Sequence, residues 1–197
     1  MSAEALPTSV ALLRLMSGMW LAQAISVAAK FGVADLLGSG PKGPDELARA
    51  TGTHRPSLYR VLRALASVGV FREDEDGRFC LTPLAEPLRS DAPASLRSFA
   101  IMLGEEWHWR AWGDLPNSVQ TGQSAFEHLY GITNFEYWTR NPEAAAIFDQ
   151  AMTSRSAEEN QAVISADDFS TIETLVDVGG GHGSFLVSIL QAAGRKR

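Results

Sequence analysis

Residues 175–190 read LVDVGGGHGSFLVSIL. Apolar Leu175 and Val176 lead into Gly179, Gly180, Gly181 and Gly183, after which Phe185, Leu186, Ile189 and Leu190 recur at helical spacing. A chain that turns from strand to helix within so few residues needs positive φ at some of them, and glycine tolerates that best. Without a Cβ the backbone can also come within hydrogen-bond distance of a ligand. The helix that follows presents unpaired N–H groups and the positive end of its dipole, both of which favour an anionic group. The stretch therefore predicts a strand, a ligand-cradling loop and a helix, the way a nucleotide-binding sheet begins. A nicotinamide site has the spacing G-x-G-x-x-G, with an acid about twenty residues later. Here Gly179, Gly181 and Gly183 are spaced G-x-G-x-G, and the acid, Asp177, stands ahead of them.

The rest of the chain is punctuated for helices. Residues 9–37 predict one or two helices, interrupted at Gly18 and closed by Gly38-Ser39-Gly40-Pro41. Pro44 opens a short helix through Ala50, with acids in its first turn and Gly52 beyond its end. Pro56 opens a second, with Leu58, Val61, Leu62 and Leu65 on one face and Gly69 as its stop. Val70-Phe71-Arg72 and Arg78-Phe79-Cys80-Leu81 flank an acidic turn, a predicted hairpin. Helix, turn, helix and hairpin together make a winged helix-turn-helix. Further helices are expected around Leu96–Leu103 and around Trp107, Trp109 and Trp112. A long one should start at Pro142, with Ala144, Ile147, Phe148, Ala151 and Met152 in one stripe.

Charge is distributed unevenly. Residues 1–103 carry eleven Lys/Arg against ten Asp/Glu, and residues 104–197 carry six against thirteen, which argues against a phosphate-tracking surface in the second half. In the winged helix, Arg55, Arg60 and Arg63 lie where a recognition helix would hold them. The proposed wing, however, is Glu73-Asp74-Glu75-Asp76, which repels phosphate, so the module is expected to be packing or dimer surface rather than a DNA reader. The lone cysteine, Cys80, fits a reducing compartment and a buried thiol. Val10–Ala29 has the length of a membrane span and one charge, Arg14. No basic segment precedes it, and Ser17, Gln23 and Ser26 make a poor lipid-facing surface. Burial against a second chain is the simpler expectation.

Asp177-Val178-Gly179-Gly180-Gly181-His182-Gly183 resembles the first motif of S-adenosylmethionine-dependent methyltransferases. With that motif in view, residues 28–37 (AAKFGVADLL), 62–71 (LRALASVGVF), Trp112 with Thr121-Gly122, Phe126, Tyr130-Gly131 and 148–152 (FDQAM) are similar to the plant and bacterial small-molecule O-methyltransferases. The resemblance spans the chain. It implies a mainly α fold: a helical, winged-helix dimerisation domain (1–104), a helical connection with substrate-side helices (105–170), and the first β-α unit of an α/β Rossmann-like domain (171–197). It implies S-adenosyl-L-methionine as cofactor, a homodimer, a cytoplasmic location, and a small, aromatic hydroxyl compound as methyl acceptor, with no nucleic-acid or membrane partner. By the same resemblance Gly179, Gly181 and Gly183 line the methionine end of the cofactor. Asp177 holds the loop or the amino group, and Met152, Arg155 and Ser156 sit on the helix facing it. Met152 has an equally simple reading as core filler, Arg155 as a solvated helix residue, and His182 as a permissive loop position. His108 and His128 are expected to give polar edges to an aromatic pocket or its surface, neither with a carboxylate at telling spacing.

Two parts of the family pattern have no counterpart here. The ribose-clamping acid belongs about twenty residues past the loop, where Gly194-Arg195-Lys196-Arg197 supplies none. The later histidine that acts as general base has no matching segment. The expectation is an N-terminal portion, inactive alone. The other readings are a non-catalytic dimerisation module and a winged-helix DNA-binding regulator.

Overall fold

Helix α1 runs for 23 residues, Thr8–Lys30, straight through Gly18. A glycine inside a helix costs about 1 kcal/mol relative to alanine, too little to stop one of this length. The break expected at Gly18 falls instead at Gly32, whose φ of 65° is left-handed and which precedes α2, Val33–Leu37. The computed structural model describes residues 7–169 and 172–194; the expected boundary at 170/171 lies outside them, as does Arg195-Lys196-Arg197. The chain divides into two compact units, Met1–Arg89 and Ser90–Arg197.

In the first unit, α3 (Pro44–Thr51) and α4 (Arg55–Ser67) each begin with proline in the first turn, where its missing N–H costs no hydrogen bond. They lead into β1 (Phe71–Glu73) and β2 (Phe79–Leu81), antiparallel with Phe71 opposite Leu81 and Glu73 opposite Phe79. The other edge of β2 meets Lys42, whose N–H and C=O bond with Phe79 at 3.0 and 2.9 Å. The hairpin turn is built by its own acids. Asp74 Oδ1 accepts from the N–H of Asp76 and of Arg78, at 3.1 and 2.9 Å, and its Oδ2 accepts from the Arg78 guanidinium at 3.1 Å. The Arg78 N–H, above all, holds the Asp74 carboxyl below the ordinary carboxylate range. Val33, Leu47, Leu62, Leu65, Phe71 and Phe79 make the core, and Cys80 is buried beside them as expected. Most of α1 takes no part in it. Leu15 is 79% exposed and Trp20 69%; by length and composition alone the helix could cross a membrane.

The second unit holds α5 (Arg97–Gly104), α6 (Glu106–Gly113), α7 (Leu115–Thr121), α8 (Ala125–Tyr130), α9 (Asn134–Arg140), α10 (Pro142–Ala166) and α11 (Ser184–Ala192). The long helix expected from Pro142 is α10, which packs along α5. Ala144 and Ala151 of its stripe are buried with Met102, Trp107 and Phe126. Among the described residues the one sheet is β1–β2. Thr174–Val178, expected as a strand, is not one here: a strand needs a neighbour on its ladder, and Val176 and Val178 instead stand 75% and 91% exposed.

Helix α9 carries a full capping box. The Thr133 hydroxyl accepts from the Glu136 N–H at 3.3 Å, and the Glu136 carboxylate accepts from the Thr133 N–H at 3.0 Å. That backbone donor, with the Thr133 hydroxyl, lowers the Glu136 carboxyl below its ordinary value.

Two substitutions check this account. Leu62→Ala removes a side chain buried to 0% exposure and should cost about 2–5 kcal/mol in chemical denaturation. Thr133→Ala should cost about 1 kcal/mol. It should also make the acid limb of the stability profile shallower without abolishing it, since the backbone N–H of residue 133 stays and only the hydroxyl is lost. The Glu136 contribution is present above the ordinary glutamate range and is lost as pH falls through its lower folded-state value.

Candidate functional site

The glycine loop is the first candidate feature. Gly179, Gly181 and Gly183 have φ of 74°, 56° and 69°, the left-handed conformation that glycine adopts most readily as the chain turns into α11. Gly183 donates its N–H to the Gly180 carbonyl at 2.8 Å and accepts at its own carbonyl from Val187 at 2.9 Å, closing the loop onto α11. Gly180 has no left-handed φ. A Cβ there would instead collide with all three heavy atoms of the Asp177 carboxyl group. Asp177 Oδ2 is buried without a hydrogen-bond donor. The loop also meets α10: His182 Nε2 lies 3.4 Å from Asp149 Oδ2.

A second candidate feature is an aromatic cavity of about 320 Å³, lined chiefly by Trp107, His108, Trp112, Phe126, Trp138 and Phe148. Trp138 stacks on Phe148 with centroids 3.8 Å apart and planes at 22°, and Trp107 meets Trp138 edge-on at 6.4 Å. The indole N–H groups of Trp107 and Trp138 are buried without an acceptor. Trp112 donates its indole N–H to His108 Nε2 at 3.4 Å. Burial pushes the His108 imidazole below its ordinary value, so at neutral pH the ring is uncharged. As expected, His108 is the polar edge of an aromatic pocket.

His128 is corrected. Its Nδ1 lies 2.7 Å from Asp114 Oδ2, a partner fourteen residues back that spacing along one helix could not reveal, because α7 lies between them. The pair is half-exposed and ties α8 to the corner between α6 and α7. Of these, α6 and α8 line the cavity.

The α10 residues singled out by sequence lie as follows. Met152 packs against the aromatic core. The Arg155 guanidinium stands over the Phe99 ring at 5.9 Å, and the Ser156 hydroxyl donates to the Met152 carbonyl at 2.9 Å. The contact from α10 to the loop is made by Asp149. Sequence reasoning missed Trp138, Asp149 and the constraint on Gly180. Trp138 had a signal, since Phe135 and Trp138 share a helix face; the Gly180 constraint is local, set by Asp177 three residues before it, and only the Asp149 contact joins distant segments.

The arginines weighed for DNA contact are engaged locally. Arg55 pairs with Asp45 at 2.9 Å and Arg63 with Glu73 at 3.2 Å, while Arg60 reaches the Ser57 hydroxyl at 3.5 Å.

Comparison with known proteins matches residues 13–91 to the O-methyltransferase dimerisation domain and residues 112–193 to the O-methyltransferase domain. A phenazine O-methyltransferase, PhzM, of Lysobacter antibioticus is 46% identical over 96% of this chain and 55% of its own length. The crystal structure of LaPhzM superposes with a TM-score of 0.91 at 45% identity, over 98% of this chain and 57% of that one. An O-methyltransferase from neocarzinostatin biosynthesis, NcsB1, solved with S-adenosyl-L-homocysteine and 1,4-dihydroxy-2-naphthoic acid, superposes with a TM-score of 0.70 at 33% identity, over 88% of this chain and 53% of that one. The chain spans about half the length of the curated relatives it matches. Carrying matches to both domains in sequence order, it belongs to the O-methyltransferase family with an N-terminal dimerisation domain.

Proposed function

We propose that the protein transfers a methyl group from S-adenosyl-L-methionine to a hydroxyl of a small aromatic molecule. This chain would supply the loop for the methionine end of the cofactor, part of the acceptor cavity and the dimer surface. The observation that carries the reading is the loop. Left-handed glycines bring bare backbone to the N-terminus of α11, suited to the ligand's carboxylate. Asp177, whose carboxyl group lies against the loop at Gly180, is assigned to hold the loop or the ligand's amino group. When bound, S-adenosyl-L-methionine supplies an electrophilic methyl group on a sulfonium centre.

The chain's own residues bind and orient. Gly179, Gly181, Gly183 and Asp177 form the cradle, with Met152, Arg155 and Ser156 assigned to the α10 side. Trp107, Trp138 and Phe148 give planar apolar walls that hold an aromatic ring and keep out water. His108, being neutral, offers a polar edge without a charge. Holding the acceptor oxygen in line with the methyl group is the contribution expected of such walls. No residue of this chain is assigned as the general base. The complexes of NcsB1 with S-adenosyl-L-homocysteine and a dihydroxynaphthoic acid support both the cofactor and the acceptor class.

The same reading takes α3, α4 and the hairpin as a winged helix used as scaffold. It takes residues 175–190 as the opening β-α unit of a Rossmann-like domain, in a cytoplasmic protein. The boundaries at 104 and 170 are kept as functional ones, α5 lying in the second compact unit with α10. The exposed apolar surface of α1 is assigned to a homodimer, as the match to a dimerisation domain supports.

Two measurements test the proposal. Titration with S-adenosyl-L-methionine to millimolar concentration, followed by TROSY amide spectra, should shift the Gly179, Gly181 and Gly183 signals saturably, while NADH should not. No shift, or equal shifts with NADH, defeats the cofactor assignment. Light scattering should give twice the chain mass, and Trp20→Glu combined with Met16→Glu should give a monomer. A wild-type monomer, or partition into neutral lipid vesicles, refutes the dimer.

A further inference from the structure

Helices α6 and α8 both line the aromatic cavity, and two residues at the end of α6 reach across to α8 from outside it. The Arg110 guanidinium stands over the Tyr130 ring at 5.8 Å. One turn further on, Asp114 Oδ2 lies 2.7 Å from His128 Nδ1. Asp114 ends α6 and precedes α7, where an aspartate ordinarily accepts from the first N–H groups of the new helix. Its side chain makes no such cap and turns to α8 instead. On α8 the Tyr130 ring rests against Phe126, with centroids 4.6 Å apart, and Phe126 is a buried wall of the cavity. The two ties differ in kind. A cation over a ring holds a range of positions, whereas a hydrogen bond of 2.7 Å is short and directional.

We propose that His128, held by Asp114, is a positioning residue for the methyl acceptor: their hydrogen bond fixes the separation of α6 and α8, and so how far Phe126 stands from Trp107 and Trp112. This role rests on the acceptor-cavity reading above. Neither His128 nor Asp114 lines the cavity. Both act through the rings, so the two positions should behave as one unit.

The test uses the chain labelled with 5-fluorotryptophan, with 1-naphthol as the aromatic probe and fluorine NMR as the readout. In wild type, 1-naphthol should shift the Trp107, Trp112 and Trp138 signals and leave that of Trp20, in the first unit, in place. His128→Ala and Asp114→Ala should each raise the Kd about three- to fivefold, the upper worth of a half-exposed pair, with little change in the urea midpoint. The double variant should be no weaker than either single one. His128→Asn puts an amide nitrogen where Nδ1 was and should bind within twofold of wild type. Less than a twofold rise in either alanine variant, a multiplicative loss in the double variant, or no rescue by asparagine overturns the proposal. So does a fall in the urea midpoint large enough to unfold the alanine variants under the binding conditions. Ligand-free spectra separate the proposal from the acceptor reading. The Trp107 and Trp112 signals should move in both alanine variants and return in His128→Asn. If wild type fails to bind 1-naphthol at millimolar concentration, the acceptor reading and the positioning role both fall. The ligand-free spectra then still decide whether the pair sets the walls, and unchanged tryptophan signals reject that as well.

Discussion

The second unit depends on how closely α10 can approach its neighbours. Ala144 and Ala151 are the buried members of its stripe, and their small side chains let α5 lie along it while the rings of Trp107, Phe126, Trp138 and Phe148 gather alongside. A larger residue at Ala151, which has no exposed surface, would force the rings apart, because interiors packed to this density do not absorb extra methylenes without strain. The aromatic cavity is a consequence of that packing. Helices α5, α9 and α11, too short to be stable separately, pack on the one long helix, and rings of α6, α8, α9 and α10 enclose the aromatic cavity.

The glycine loop follows a different logic. Its residues are mostly exposed, and what fixes it is backbone conformation rather than burial. Three left-handed glycines and the Gly180 carbonyl held by the Gly183 N–H fold the loop onto the start of α11. Strand Thr174–Val178 is the part of this motif that does not form, since a β-ladder is completed by another segment and cannot be encoded locally. The first unit shows the converse. Its β1–β2 hairpin closes because the turn acids and Arg78 lie within a few residues of each other.

Acidic and basic residues that look like a surface field in the sequence prove to be used pairwise. Arg55 with Asp45, Arg63 with Glu73, and Arg78 with Asp74 and Asp76 are near neighbours in the fold. Such exposed pairs contribute little stability individually. They do remove the free positive charge that a phosphate-reading helix needs, which agrees with the absence of a basic footprint in residues 41–90, with eight basic and seven acidic residues.

Local chemistry made much of this protein legible from its residues alone. Prolines at helix starts, the hydrophobic spacing of α4 and α10, the hairpin turn and the glycine loop with Asp177 all express preferences that act within a few residues. Those preferences were strong enough to mark the helices, the hairpin and one of the two candidate features. The break between α1 and α2 at Gly32 rather than Gly18 needed the backbone, because both are glycines and only the left-handed one ends a helix. The pairing of His128 with Asp114, of His182 with Asp149, and the assembly of the aromatic walls were decided by tertiary structure. Each joins residues through space, and no periodicity along a chain encodes a distance between two segments that only packing brings together.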